Sequence, residues 1–327
     1  MTMEIRHLGT EGLTVSALGL GCMGMSSAYE GREDAQAVET IHRAIDLGIT
    51  FFDTAEVYND NEQLVGKAIE GRRDLVTVAT KFGFKINNGK ISGLDSTPEN
   101  VRRVCHNSLQ RLGVDYIDLF YQHRVDKAVP IEETVGAMAE LVAEGKVRYL
   151  GLSEASVDTI RRAHAVHPIS ALQSEYSFWE RGVETEVLPL LRELKIGFVP
   201  YCPLGRGFLT GKVKRAESFE SDYRRQDPRF QGDSFTKNMK LVEQVEKLAK
   251  EKETTPAQIA LAWLLHQGKD IVPIPGTKRP AYVEENAVAT EVALSEEDLS
   301  RLERIASDNA TSGERYAEER MSWLDAS

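Results

Sequence analysis

The sequence predicts a (β/α)8 TIM barrel, with an N-terminal β-hairpin closing the barrel bottom and a C-terminal helix and tail. Three observations predict it. Short apolar runs alternate with amphipathic helical segments along nearly the whole chain. The runs are apolar on consecutive residues, as in parallel strands covered on both faces. Eight such units favour closing the sheet over leaving it open. The chain has 327 residues and is expected to form one domain, 1–327, since barrels of this kind routinely run past ~250 residues as one unit.

The elements follow in order. EIRHLGTEGLTVSALGLG turns at Gly9 to Gly12, which reads as a hairpin running into a first strand, SALGLG. From Asp34 to Leu47, the residues Ala37, Val38, Ile41, Ala44 and Ile45 share one helical face, and Gly48 stops the helix. ITFFD is the second strand, followed by a helix carrying Leu64, Val65, Ala68 and Ile69 and stopped by Gly71. VTVATK is the third, and a loop leads from it to Thr97-Pro98, an N-cap and first helical residue. That helix buries Val101, Val104, Cys105 and Leu112 and ends at Gly113. YIDLFYQH, a helix from about Ile131 to Glu144, VRYLGLSE and a helix capped by Ser156 come next. SALQSEY, a helix around Val187 to Leu194, and IGFVPY continue the series. Leu204 to Asn238 reads as a long charged loop in a polar stretch ending at Thr255-Pro256-Ala257-Gln258, a capping-box start. DIVPIPG supplies the eighth strand.

Composition narrows the function. A net charge of −11, with no sustained basic stripe, argues against a nucleic-acid partner. The N-terminus lacks an apolar signal core, and no run approaches the ~18 apolar residues of a spanning helix, so a cytoplasmic chain without membrane association is expected. Cys22, Cys105 and Cys202 are unclustered and lie in apolar settings, which suits reduced thiols. The seven histidines are scattered, His164 and His167 lack ligand partners at metal spacing, and no metal is expected. Gly19, Gly21 and Gly24 match the literal GxGxxG pattern, but the next helix starts only near Glu33 or Asp34. A strand-end loop whose glycines let a ligand approach the backbone is the better reading.

In such barrels chemistry lies at the carboxyl ends of the strands. Those ends read Asp53, Lys81, His123, Ser153-Glu154, Gln173, Tyr201 and Pro275-Gly276, with Tyr58 five residues beyond Asp53. A phenol has a pKa near about 10. A lysine ammonium beside it stabilises the phenolate and lowers that value, and an aspartate holds the lysine charged. A histidine at the next strand end donates a hydrogen bond to a substrate oxygen. Singly, each has a plainer reading: a structural ion pair, a surface aromatic, a core imidazole. All four on neighbouring strand ends form a proton-donor site for a small substrate held by Tyr58 and His123.

FFDTAEVY, the strand ending in Lys81, DLFYQHRVD and IPGTKRPAYVEEN resemble signatures of the aldo-keto reductase superfamily, in particular its plant and bacterial perakine-reductase-like branch. The resemblance covers about residues 5 to 305. It implies NADPH-dependent reduction of an aldehyde or ketone by a tetrad of Asp53, Tyr58, Lys81 and His123. NDNEQL, after Tyr58, departs from the Gly-Pro-bearing stretch common in that branch. For the cofactor NADP(H), the resemblance implies that Ser153 and Gln173 bind the nicotinamide carboxamide, with Glu154 beside it and Tyr201 stacked on the ring. The strand-end glycine loop, with Gly21, Cys22 and Met23, is expected to touch the cofactor. Cys202, Pro203, Leu204, Arg206, Leu209, Gly211 and Lys212 belong to a loop over the pyrophosphate. Gly276, Thr277, Lys278 and Arg279 grip the 2′-phosphate, and Tyr282, Glu285 and Asn286 meet the adenine. Tail residues Tyr316, Met321 and Trp323 either close over the substrate or dock on the barrel. The superfamily also contains potassium-channel β-subunits, so a cofactor-sensing regulatory subunit is the alternative; the lack of a long segment before the hairpin argues against it. Substrate identity and oligomeric state are not set by the residues.

Overall fold

A computed structural model describes residues 3–26, 33–87, 89–214 and 223–325. β1 (Ile5–Leu8) and β2 (Leu13–Ser16) form an antiparallel hairpin. The barrel staves are β3 (Leu20–Gly21), β4 (Phe51–Asp53), β5 (Thr77–Phe82), β8 (Ile117–Gln122), β9 (Val147–Ser153), β10 (Ala171–Glu175) and β11 (Gly197–Tyr201). They hydrogen-bond in parallel in that order. Between them lie α1 (Asp34–Asp46), α2 (Asn61–Ile69), α3 (Pro98–Leu112), α4 (Ile131–Ala143), α5 (Val157–Val166) and α6 (Val187–Leu194). After them come α7 (Gly232–Glu251), α8 (Pro256–His266), α9 (Pro280–Val288), α10 (Glu296–Asp308) and a short α11 (Glu318–Met321).

The expected helix signals act as read. Thr97 and Ser156 accept bonds from the backbone N–H three residues on, and Thr255 with Gln258 forms the reciprocal capping box. The hairpin does plug the amino end. Leu8, Leu13 and Val15 pack inside the barrel with Phe51, Ala79, Leu119, Tyr121, Val199 and Ile274. Arg6 fastens it by donating to the carbonyls of Gly268, Ile271 and Leu265.

The eighth stave differs from expectation. Ile271–Pro275 forms no continuous strand and closes the barrel through the isolated bridges Phe198↔Ile271 and Gly21↔Gly276. Val272 and Ile274 donate to Phe198 O and Pro200 O on one side. On the other, Pro273 and Pro275 accept from Gly19 and Gly21 but have no N–H to return, so this seam carries half a ladder. The first strand shrinks to Leu20–Gly21 beside it. Gly21 is needed here for packing: a Cβ would come 2.9 Å from Ile274 O. Its missing side chain lets the seam close.

Two elements lie where loops were expected. β6 (Phe84–Asn87) and β7 (Lys90–Leu94) form an antiparallel hairpin between Lys81 and α3. The charged stretch after Leu204 condenses into short 3-10 turns and then the twenty-residue α7, whose Phe235, Leu241, Val242, Val245 and Leu248 are buried at helical spacing.

Candidate active site

β4 ends in Asp53, level with Ala79 of β5, and Lys81 follows toward the carboxyl end of β5. Lys81 is fully buried; its Nζ donates to Asp53 Oδ1 at 2.5 Å and to Thr54 O at 2.7 Å. Gln173, from across the barrel, donates to Asp53 Oδ2 at 2.8 Å. Burial pulls the Lys81 pKa down, and the Asp53 charge opposes it. The loop after β4 turns back so that Lys81 Nζ lies 5.2 Å from the centre of the Tyr58 ring. The His123 ring meets Tyr58 edge-on at 5.8 Å. Asp53, Tyr58, Lys81 and His123 therefore come together.

The direction of the Tyr58 shift is opposite to the one expected. Its pKa lies well above the usual phenol value, through burial first and the Asp53 charge second. The Lys81 charge is already countered by Asp53 beside it, so without ligand the phenol stays protonated. His123 is pushed well below the usual imidazole value by burial, then by Arg124 and Lys81, and is neutral. Its Nδ1 is buried without a hydrogen-bond partner among the described residues. Phe84, from the β6–β7 hairpin, lies edge-on to His123 at 4.9 Å, and Trp323 of the tail lies against Phe84 at 5.7 Å.

The residues expected around the cofactor are spread over the same barrel end. Cys22 N donates to Asp53 O, and Met23 opens a short turn just beyond. Ser153 Oγ accepts from Arg124 at 3.2 Å. Glu154 has φ of 53° and accepts from Glu175 N at 3.0 Å, Tyr201 Oη at 2.8 Å and Arg315 at 2.6 Å. Tyr201 Oη also meets Tyr316 Oη at 2.8 Å. Cys202 and Arg206 likewise hold left-handed φ values, of 49° and 57°. Such strain gathers at sites where surroundings over-determine the backbone. Pro203 and Leu209 are buried behind Leu204, and Gly211 ends the turn.

Arg206 turns inward. It is buried, pairs with Glu175 at 3.0 Å and Asp227 at 2.8 Å, and donates to Arg315 O. The cation that faces outward from this loop is Lys212, 3.1 Å from Glu285 and 3.9 Å over the Tyr282 ring. Arg279 reaches the same ring at 5.5 Å, and its N–H donates to Thr277 Oγ1. Lys278 and Arg279 sit at the start of α9, whose N-cap makes no side-chain bond, and Asn286 is buried one face behind. Gly276 is held in the seam.

Sequence reasoning missed Arg124, Phe84, Glu175, Asp227, Arg229 and Arg315. Arg124 was legible only as the residue after His123 in DLFYQHRVD. Phe84 was masked because its hairpin was read as a loop, although an Asn-Gly pair at 88–89 marks a turn. The tail docks on the barrel: Asp325 accepts from Ser156 N and Oγ and from Thr159 Oγ1.

The chain is similar to known proteins along most of its length. The model of the Aldo/keto reductase family matches residues 17–307. A probable aldo-keto reductase 1 of Glycine max is 50% identical over 313 residues, spanning 94% of this chain and 90% of that protein. The solved glycerol dehydrogenase of Gluconobacter oxydans has a TM-score of 0.86 at 29% identity, covering 96% of this chain and 98% of that one. A holo-form aldo-keto reductase of Bacillus halodurans has a TM-score of 0.77 at 29% identity, with 97% and 99% covered. With its parallel barrel and this match over most of its length, the chain belongs to the aldo/keto reductase family, a family of oxidoreductases that generally bind nicotinamide cofactors.

Proposed function

We propose that the protein is a cytoplasmic NADPH-dependent reductase of aldehydes or ketones, with Asp53, Tyr58, Lys81 and His123 as its catalytic set. The observation that carries this reading is the buried Asp53–Lys81 pair beneath the Tyr58 ring, with neutral His123 at its edge.

Tyr58 gives its proton to the carbonyl oxygen. Its raised pKa keeps the phenol loaded in the resting site. Lys81 uses two of its three donors on Asp53 and Thr54, which leaves one N–H to offset the phenolate left behind. His123 donates a hydrogen bond to the carbonyl oxygen and favours the developing alkoxide. Asp53, tied by Gln173, keeps the ammonium charged and oriented.

The residues present suit a dinucleotide. Lys278 and Arg279 stand at the start of α9, whose N-cap supplies no side-chain bond, and two cations at a strand-to-helix junction form a donor set matched to a phosphate. Lys212 and Tyr282 border it, and Ser153 Oγ, which accepts from Arg124, keeps its own proton for a carboxamide oxygen. Bound there, the nicotinamide supplies the hydride that the carbonyl carbon takes up.

Steady-state turnover of a neutral aldehyde with NADPH tests the reading. The wild-type chain should cycle many times, and Tyr58→Phe should lose activity while keeping NADPH affinity. Activity within tenfold of wild type would remove Tyr58 from the acid role, and a single stoichiometric oxidation would mark a cofactor sensor. Lys278→Ala with Arg279→Ala should weaken NADPH binding ten- to several-hundredfold, at roughly 1.5–3 kcal/mol per charged contact, and leave NADH nearly unaffected. Equal losses for both nucleotides would place the phosphate elsewhere.

A further inference from the structure

The residue after His123 brings a second cation into the site. Arg124 is half-buried, and its Nη1 donates to His123 O at 2.7 Å and to Ser153 Oγ at 3.2 Å. Those two bonds use both Nη1 protons. Nε and Nη2 make no hydrogen bond among the described residues and are not sealed from solvent, and the guanidinium has no carboxylate within 4.0 Å.

The other buried arginines of this barrel end are different. Arg206 has Glu175 and Asp227, Arg229 has Glu175 and Glu180, and Arg315 has Glu154. Glu154, the acid facing Arg124, is taken: Oε1 accepts from Tyr201 and Glu175 N, and Oε2 from Arg315. The remaining groups that face Arg124 are the rings and hydroxyls of Tyr58, Tyr201 and Tyr316. Half-withdrawn from water, the guanidinium keeps an open donor edge with no carboxylate of the described residues bonded to it. Fastening β8 to β9 needs only Nη1, so it leaves the open half of the fork unexplained. A planar pair of N–H donors beside the carbonyl-binding His123 matches a carboxylate.

We propose that Arg124 anchors a carboxylate on the substrate, so that the preferred carbonyl compounds are short oxo acids whose carbonyl reaches Tyr58 and His123 while the acid meets the Nε–Nη2 edge. The inference rests on the reading of Tyr58 and His123 as the carbonyl site. Because Arg124 directly follows His123, the spacer between the two groups is short.

The test compares oxo acids from glyoxylate to 6-oxohexanoate with neutral aldehydes of the same chain length, using NADPH. At least one acid should exceed its neutral partner in kcat/KM by about tenfold, and Arg124→Met should cut that ratio by about thirtyfold. Arg124→Lys, which keeps the charge but not the fork, should restore part of it. An acid series that is never preferred, or a ratio unchanged by Arg124→Met, overturns the proposal. So does a loss of NADPH affinity in Arg124→Met as large as the loss of acid turnover, which would make the residue a cofactor contact. Butanoate binding to the NADPH complex, read by fluorescence quenching, reports on the anchor without turnover. Equal affinity in wild type and Arg124→Met also overturns it. Failure of the neutral aldehydes to react in the wild type counts against the reductase reading instead.

Discussion

His123 shows how a single residue ties stability to chemistry. It is 8% exposed, its Nδ1 has no partner among the described residues, and burial, with Arg124 and Lys81 behind it, holds its pKa well below the imidazole norm. Below a pH of about 6.5 the unfolded chain binds a proton that the native site refuses, so native stability falls as pH drops through that range, by up to about 1.4 kcal/mol per pH unit. In His123→Gln that contribution disappears. Urea unfolding at several pH values between about 7.5 and 5 should therefore show the wild type losing stability more steeply than the variant. Parallel curves would mean that the imidazole titrates normally in the folded protein. The positions of Asp53, Lys81 and His123 were legible because a polar residue ending an apolar strand stands out. The Tyr58 shift was not, since it depends on which charge lies nearest the hydroxyl and how much water remains.

At the scale of elements, α2 and α3 cross so closely that helix propensity and packing oppose each other. Gly66 lies inside α2, and a Cβ there would sit 2.3 Å from Leu112 O. Gly136 lies inside α4 with nothing within 4 Å of the same point. Alanine is favoured over glycine in a helix by about 1 kcal/mol, and both substitutions gain this. Overpacking against backbone costs about 1–3 kcal/mol or more, so it prevails at Gly66 alone. Gly66→Ala should lower the thermal midpoint and Gly136→Ala should raise it by a few degrees; a rise in both would mean that α2 and α3 part without cost. The same distinction separates legible from illegible elements. Capped, periodic helices and doubly buried strands announce themselves locally. The eighth stave did too, as an apolar run, but Pro273 and Pro275 decide its pairing only where their missing N–H groups face the first strand. α7 went unread because charged residues at its start hid a helical apolar stripe that begins at Phe235.

At the scale of the whole molecule, the tail binds the carboxyl ends of the barrel together. Asp325 accepts three hydrogen bonds at the start of α5, Arg315 pairs with Glu154, and Trp323 packs on Phe84. Burial raises the Asp325 pKa, but the bonds from Thr159 and Ser156 outweigh it and hold the carboxylate below its usual range. Asp325→Ala should release the end of the tail locally. Hydrogen exchange should speed up across residues 313–325 and at the first turn of α5, while β5 and β8 stay protected. Unchanged exchange in the tail would show that Trp323 and Arg315 suffice; faster exchange in the strands would show that tail and barrel unfold as one unit.

Local patterning in the sequence determined the alternation of barrel staves with α1 to α6, the hairpin plug and the barrel end at which Asp53, Lys81 and His123 stand. Strand burial and helix periodicity are properties of neighbouring residues, and a parallel barrel leaves one end for strand-end side chains to meet. Beyond the Asp53–Lys81 pair, only the tertiary structure decided which charges meet. Arg206 turns from the loop toward Glu175 and Asp227, Arg315 reaches Glu154 from 161 residues away, and Arg124 keeps half its fork open. The reason is physical: an ion pair is set by distances of a few ångströms between side chains that are remote in sequence, and in a desolvated site those distances fix each group's protonation.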